Sequence, residues 1–179
     1  VVLAFLGLIA GIASIISAMS GKSRPSARLE AKSINDEWAE RKRSLESFFL
    51  SKKEWKARLK ADEETEKKRI STGTSKRRLW VIDFKGDTEA SDVDSLRNEI
   101  TAILDLVASE KSADLDEVLV RLDSPGGTVT GYGLAASQLA RLRKARVKLT
   151  IAIDEVAASG GYMMAAVGNH ILASPFAVI

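Results

Sequence analysis

The sequence predicts an α/β fold with a mostly parallel sheet in residues 79–179. Apolar runs of strand length alternate there with segments whose apolar residues recur at helical spacing. Two of the strand-length runs lead into a glycine pair, and turns that follow parallel strands are where such sheets collect ligands. An uncharged apolar segment, residues 1–19, and a charged helix-forming segment, residues 20–78, precede this region. We therefore expect three parts: a transmembrane anchor, a basic and mostly helical stalk with a linker, and a domain.

The predicted domain begins with a strand. The run LWVIDF from Leu79 is rich in strand formers, and Ser91 or Asp92 can cap the helix that follows it. Further strands are predicted for EVLVRL, VKLTIAI and ILAS, and further helices for GYGLAASQLARLRKA and VAASGGYMMAAVG. Strands separated by helices of this length form βαβ units, which make neighbouring strands parallel.

The segment Val1–Met19 carries no charge, and as a helix it reaches roughly the 30 Å of a bilayer's hydrocarbon core. We expect an uncleaved, single-pass transmembrane anchor. A cleaved signal peptide is the alternative, which the length of the apolar run and the lack of an A-x-A site disfavour. Four basic residues follow the segment closely: Lys22, Arg24, Arg28 and Lys32. The positive-inside tendency taken alone would leave the remainder in the cytoplasm.

Residues 20–78 are strongly basic, with 18 Lys and Arg against 10 Asp and Glu, whereas residues 79–179 have 9 against 14. A basic segment next to an apolar anchor favours anionic lipid over nucleic acid as its partner. We expect contact with a lipid bilayer and no nucleic-acid partner. Residues 67–78, with Gly73 among small hydroxyl residues, are expected to form a solvated linker.

The stalk carries one apolar stripe at helical spacing. Its residues are Ile34, Trp38, Leu45, Phe48, Trp55 and Leu59. The stripe indicates a helix that packs on its own domain or on a partner copy. A helix lying in the lipid interface, with its aromatic side chains inserted, is the second interpretation, and nucleic-acid binding is the third.

The composition excludes several classes of site. The chain has no cysteine, which excludes disulfides, thiolate catalysis and cysteine-ligated zinc. His170 is the single histidine, so one chain cannot form a multi-histidine metal site. We expect neither a metal nor a cofactor.

Two glycine turns follow predicted strands: SPGG at Ser124–Gly127, and the pair Gly160 and Gly161 directly after Ser159. Without a Cβ, glycine backbone can take positive φ and bring its N–H groups up to a substrate oxygen. A serine next to such a turn is well placed to be an exposed nucleophile. A serine tolerated in a small-residue packing face is the alternative.

Three stretches resemble the signal peptide peptidase A family, most closely its SohB-type membrane-anchored branch. They are LWVIDFKGD, EVLVRLDSPGGTVTGYGLAASQLARLR and IDEVAASGGYMMAAVGNHILASPFAVI. The SPGG turn alone would be weak evidence for this family, because ClpP peptidases and the enoyl-CoA hydratase group have similar glycine turns. The three stretches together are a specific signal. The resemblance implies an incomplete ClpP/crotonase-like domain, and family members of this length assemble into homo-oligomeric rings.

The resemblance also implies an activity and roles for individual residues. It implies a serine endopeptidase of the bacterial inner membrane, with its catalytic domain on the periplasmic side and membrane-associated peptides or cleaved signal peptides as substrates. Ser159 would be the nucleophile, the backbone N–H groups of Gly127 and Gly160 would form the oxyanion hole, and Gly126 and Gly161 would line the substrate site.

A general base for Ser159 is missing from the expected place. The family pairs its serine with a lysine, kept neutral by burial, that lies well downstream, and no lysine follows Ser159 in this chain. The chain ends in an apolar run without a stop signal, so we expect a fragment whose missing part carries the lysine. Lys144 and Lys148 belong to a basic helix end, where we expect them to be solvated and charged.

His170 is the other candidate base. A Ser-His-Asp triad, as in ClpP, would require it to face Ser159 with Asp154 or Asp123 behind it. A surface or edge-strand histidine is the alternative.

Two further functions stay open. A catalytically inactive membrane-anchored scaffold would keep the fold and the oligomer interface without a working serine. A crotonase-type acyl-CoA enzyme would use the glycine turns to polarise a thioester and would not need Ser159.

Overall fold

The structure is a computed structural model that describes residues 29–71 and 77–179. The chain divides into two compact units, Val1–Glu30 and Ala31–Ile179. The first unit, with the predicted anchor at residues 1–19, lies almost wholly outside the described residues. Among the helices of the described ranges, none combines the length and the apolar character that a membrane crossing requires.

The charged segment forms two helices, α1 (Ile34–Phe49) and α2 (Lys52–Ser71). Ser33 caps α1 by accepting a hydrogen bond from the backbone of Asp36 at 3.3 Å. A second cap interrupts the segment, because the Glu54 carboxylate reaches back to the amide of Ser51 at 2.9 Å. One continuous apolar pattern is therefore divided between two helices.

The apolar stripe of α1 faces solvent. Trp38, Leu45 and Phe48 retain 63%, 64% and 79% of their accessible surface, and no residue of α1 is buried. Trp55 and Leu59 on α2 are half-buried. Within the described part of the chain α1 does not pack its stripe on the protein's own domain, so contact with a partner copy or with lipid stays a prediction.

The predicted α/β fold is confirmed by a sheet of four parallel strands in the order β1-β2-β3-β4. The strands are β1 (Leu79–Lys85), β2 (Glu117–Asp123), β3 (Lys148–Ile153) and β4 (His170–Ala173). The connecting helices are α3 (Val93–Glu110), α4 (Val129–Lys144) and α5 (Gly160–Ala165). The register aligns Val81 with Leu119 and Leu119 with Thr150, so the strands end at one common edge.

Burial alternates along the strands. Phe84, Val120 and Ile151 are completely buried, whereas their neighbours Asp83 and Arg121 are exposed. Crossovers between parallel strands are right-handed, and a sheet whose strands follow chain order then carries all its helices on the same face. The core therefore lies between one face of the sheet and the layer formed by α3, α4 and α5.

The last helix is shorter than the sequence predicts. We expected a helix over VAASGGYMMAAVG, but α5 covers only Gly160–Ala165. The residues before it are extended, because Ala157 donates to the carbonyl of Val178 at 2.8 Å and Val156 pairs with Val178 in a parallel bridge. Ser159 therefore precedes the helix, and so short a helix adds little dipole to the site.

Candidate active site

The two glycine turns meet beyond the ends of β2 and β3. The amide of Ser124 donates to the carbonyl of Val156 at 2.9 Å, and the amide of Ala158 donates to the carbonyl of Ser124 at 3.0 Å. This short parallel ladder continues the sheet by one step and ties the SPGG turn to the segment that leads into Ser159.

Ser159 is exposed and its backbone is strained, with φ 50° and ψ −113°. This conformation lies outside the regions that L-residues normally occupy and costs on the order of 1–3 kcal/mol. Two hydrogen bonds hold the turn, from Gly161 to the carbonyl of Ala158 at 2.8 Å and from Met163 to the carbonyl of Ser159 at 3.0 Å. A sharp strand-to-helix turn of this kind directs a side chain away from the sheet, where a substrate can reach it.

Gly126 brings the first turn against the second. Its φ is +86°, and a Cβ at this position would lie 2.7 Å from the Cβ of Ser159 and 2.9 Å from the amide nitrogen of Gly160. A Cβ on the next residue, Gly127, would overlap the carbonyl of Thr88. Both positions exclude a side chain, so the contact between the turns depends on glycine.

Among the described backbone amides near Ser159, those of two glycines of the turns donate no hydrogen bond. Within residues 29–71 and 77–179, neither Gly127 nor Gly160 donates its N–H to any acceptor. Gly160 is buried, and buried amides without an acceptor are rare in folded proteins. An oxygen of a bound substrate could accept from both.

The other two glycines of the turns differ from these donors. The Gly126 amide donates to Ser124 Oγ at 3.1 Å, and the Gly161 amide donates to Ala158. These two N–H groups are therefore used within the protein. Gly126 and Gly161 can therefore contribute to a substrate site only by leaving space where a side chain would otherwise lie.

A pair of buried hydroxyl groups lies beneath the turns. The sequence analysis did not identify this pair. Ser124 Oγ and the Tyr132 hydroxyl are 2.6 Å apart, and Tyr132 donates to the carbonyl of Asp87 at 2.8 Å. Both side chains are completely buried. An aromatic residue among the small residues of GYGLAAS was the one available signal.

The structure does not bring the candidate bases to Ser159. Lys148 begins β3 and pairs with Glu117 at 3.2 Å, roughly 17 Å of strand away from the edge where Ser159 lies. Lys144 ends α4 at that same remote side and is exposed. Both lysines are solvated, as predicted.

His170 does not form the alternative triad. It opposes Thr150 in the sheet, is exposed, and makes no hydrogen bond to Ser159, Asp123 or Asp154 within the described ranges. The interpretation as an edge-strand histidine is the correct one, because β4 is the last strand of the described sheet.

An acidic cleft of about 500 Å³ also opens at the carboxyl ends of the strands. Its charged lining residues are Asp83, Lys85, Asp92, Arg121, Asp123, Asp154 and Glu155. Nearby on α3, partial burial and then the charges of Asp83 and Asp92 raise the pKa of the Glu99 carboxyl. Ser159 does not line this cleft.

Comparison with known protein families decides the identity of the chain. The model of the peptidase family S49 N-terminal region matches residues 1–139, and the model of peptidase family S49 matches residues 141–179. The chain belongs to peptidase family S49. The predicted resemblance to SohB-type peptidases is confirmed by the relatives.

Curated relatives of this S49 chain carry the name probable protease SohB. The protein from Haemophilus influenzae is 44% identical over 184 residues, which cover 96% of this chain and 51% of the relative. The protein from Buchnera aphidicola subsp. Schlechtendalia chinensis is 58% identical over 101 residues, covering 56% of this chain and 32% of the relative. The chain thus spans about half or less of the length of these relatives.

Among solved structures, a membrane-bound stomatin-specific protease, 1510-N, in complex with a substrate peptide is similar to this chain. The TM-score is 0.45 and the identity 19%, with 57% of this chain and 43% of that one covered.

Proposed function

We propose that the chain is part of a membrane-anchored serine endopeptidase in which Ser159 is the nucleophile. The observation that carries the proposal is the strained, exposed turn at Ser159, held against Gly126. Two free amides, those of Gly127 and Gly160, accompany it as donors for an oxyanion. Membership of peptidase family S49 supports the same activity.

The chemistry follows from this arrangement. Ser159 Oγ attacks the carbonyl carbon of the scissile peptide bond and loses its proton to a general base. The carbonyl oxygen becomes negative and accepts hydrogen bonds from the amides of Gly127 and Gly160. The base returns the proton to the leaving amine as the C–N bond breaks, and water then hydrolyses the acyl-enzyme to release the acid and restore Ser159.

We assign the base to a lysine beyond Ile179, forming a Ser-Lys dyad with Ser159. Lys144, Lys148 and His170 lie away from Ser159, which supports this assignment. The matched segments cover only 51% and 32% of the two SohB relatives, so much of each relative lies outside the match. Burial would keep its amine neutral at working pH.

The setting of the proposed peptidase is the bacterial inner membrane. Residues Val1–Met19 would anchor it in the bilayer, with the catalytic domain on the periplasmic side. An anchored site favours membrane-associated peptides or cleaved signal peptides as substrates. We also propose that the protein forms a homo-oligomer.

The test is hydrolysis of a hydrophobic fluorogenic peptide in detergent. It compares the 179-residue chain, a version extended to the natural stop of its gene, and the extended version with Ser159→Ala. Ser109→Ala is the matched control, because this exposed hydroxyl bonds only within α3, to the carbonyl of Leu106. We expect turnover in the extended protein and in the extended protein with Ser109→Ala. We expect none in the 179-residue chain or in the extended protein with Ser159→Ala.

Each other outcome has a distinct meaning. No turnover in any folded version would support the inactive scaffold. Turnover by the 179-residue chain would mean that the base is already present and the assignment of the lysine is wrong. Turnover that survives Ser159→Ala would support a crotonase-type mechanism that does not use this serine.

A further inference from the structure

We propose that Tyr132 is a positioning residue of the candidate active site, and that its hydroxyl orients the SPGG turn through Ser124. The inference rests on the proposed function, because its consequence is the placement of the oxyanion donors. Neither side chain touches the expected substrate, since both are completely buried.

The hydroxyl pair has only one consistent hydrogen-bond order. Tyr132 has a single proton, and it is donated to the carbonyl of Asp87 at 2.8 Å. At the 2.6 Å contact Ser124 Oγ must therefore be the donor and the Tyr132 oxygen the acceptor. Ser124 Oγ in turn accepts from the amide of Gly126 at 3.1 Å. The direction of every bond, from Gly126 through Ser124 and Tyr132 to Asp87, is thus determined.

This chain of bonds fixes the Gly126 amide of the SPGG turn, which faces the protein interior. Gly126 donates inward to Ser124, so the next peptide unit, with the Gly127 N–H, is left to face outward. Bonds in such a chain polarise one another, and the buried setting makes each of them costly to break. The Tyr132 hydroxyl therefore holds the Gly127 donor in place through Ser124 and Gly126.

Ser124 and Tyr132 also pack closely on glycines of neighbouring turns, at positions where a β-carbon would not fit. A Cβ at Gly86 would overlap both Ser124 Oγ and the Tyr132 hydroxyl, and a Cβ at Gly160 would overlap the Tyr132 ring. A Cβ at Gly161 would lie 2.9 Å from the carbonyl of Ser124. Two further turns thus pack directly on one hydroxyl pair, the turn at Gly86 and the turn that carries the second donor, Gly160.

The experiment measures kcat and KM separately for the protein extended to its natural stop. The variants are Tyr132→Phe, Ser124→Ala and the double variant, and binding of a peptide boronate, which mimics the tetrahedral intermediate, is measured in parallel. Loss of one oxyanion donor costs about 100- to 1000-fold in kcat, and a displaced donor costs less. We expect kcat to fall about 10- to 100-fold for Tyr132→Phe, with KM within about threefold and boronate affinity falling in parallel with kcat.

The double variant distinguishes a connected chain from two independent contacts. Because Tyr132 acts on the turn through Ser124, the double variant should lose little more kcat than either single variant. Ser112→Ala is the matched control, since Ser112 is also a buried hydroxyl, bonded to Asp116 at 2.7 Å beside the amino end of β2. It should lower the melting temperature without lowering kcat.

Unchanged kcat in Tyr132→Phe, with a loss of melting temperature like that of Ser112→Ala, would overturn the inference and leave a purely structural role. Additive losses in the double variant would overturn it as well. If Tyr132→Phe does not fold, the same measurements on Ser124→Ala decide between these outcomes. An inactive wild-type protein, in contrast, would overturn the proposed function and this inference with it.

Discussion

Helices α1 and α3 are similar in length and both carry an apolar stripe, but they differ completely in burial. The stripe of α3 buries Leu96, Ile100, Ile103 and Val107, whereas α1 buries none of its 16 residues. Apolar spacing is common to both helices, whereas only α1 has a capping hydrogen bond: Ser33 caps α1, but the side chain of Asp92 makes no such bond at the start of α3. What differs is the presence of a sheet for the apolar face to pack on.

The composition of the two stripes agrees with this difference. The stripe of α3 is aliphatic, and it packs in the core beside completely buried strand residues. The stripe of α1 contains Trp38 and Phe48, both more than half exposed, and Arg41 stacks over the Trp38 ring at 5.5 Å. Large exposed aromatic side chains are typical of contact surfaces, so we propose that α1 meets lipid or another copy, which are two of the interpretations given above.

The largest expected effect separates the two stripes directly. Ile100→Ala removes three carbons from a completely buried side chain and should lower the free energy of unfolding by about 2–5 kcal/mol. Ile34→Ala makes the same change on α1, where the side chain is 44% exposed, and should cost less than about 1 kcal/mol. Denaturant titration of both variants measures the difference. Equal losses would mean that α1 is buried in the folded protein in solution.

An ion pair gives a smaller effect at the junction between stalk and domain. Arg78 donates to the buried carboxylate of Asp116 at 2.7 and 2.9 Å, so Asp116→Asn should destabilise the protein by about 2–3 kcal/mol. Asp94→Asn, which breaks the exposed pair with Arg97 at 3.0 Å, should cost less than about 1 kcal/mol. Thermal unfolding of the two variants tests this, and a similar small loss in both would contradict a buried role for Asp116.

The same pair has a defined pH dependence. Burial acts to raise the pKa of Asp116, but hydrogen bonds from Arg78 and Ser112 outweigh it and hold the pKa below its usual range. Because the folded pKa is the lower one, this stabilisation is complete above the unfolded pKa and is lost as pH falls through the folded pKa. The difference in melting temperature between wild type and Asp116→Asn should shrink over that acidic range.

For Glu99 on α3 we expect stability to change with pH in the opposite direction to that for Asp116. Its half-buried carboxyl has a pKa raised by burial and by the charges of Asp83 and Asp92, so the charged form disfavours folding. Wild type should gain stability as pH falls through this raised pKa, and Glu99→Gln should be more stable than wild type at neutral pH by less than about 1 kcal/mol. Identical pH profiles for the two proteins would exclude this effect.

The smallest effect is expected on the exposed stripe. Phe48→Ser should change the free energy of unfolding by no more than about 0.5 kcal/mol, because 79% of the side chain is already accessible. The matched change Phe84→Ser in the core should prevent stable folding. Sedimentation over a range of protein concentrations adds a second readout, since Phe48→Ser should weaken self-association only if α1 contacts another copy.

Much of the fold could be predicted from local patterns. The strands at Leu79, Glu117 and Lys148 appear within one residue of their predicted starts, because each is an apolar run bounded by turn residues. The helix after Ser159 was predicted too long. Small residues from Val156 onward suit a helix, but long-range pairing of Ala157 with Val178 makes them extended, and local propensity cannot anticipate that pairing.

The sequence by itself determined the parallel α/β class, the two glycine turns and the serine beside the second turn, because periodicity and glycine are local signals. Only the tertiary structure decided that Gly126 touches Ser159, that two amides there are free, and that Tyr132 and Ser124 form a buried pair. It also separated His170 and Lys148 from the candidate site by their positions in the sheet. These facts depend on which strand ends meet in space, and hydrogen-bond pairing between residues far apart in the chain decides that.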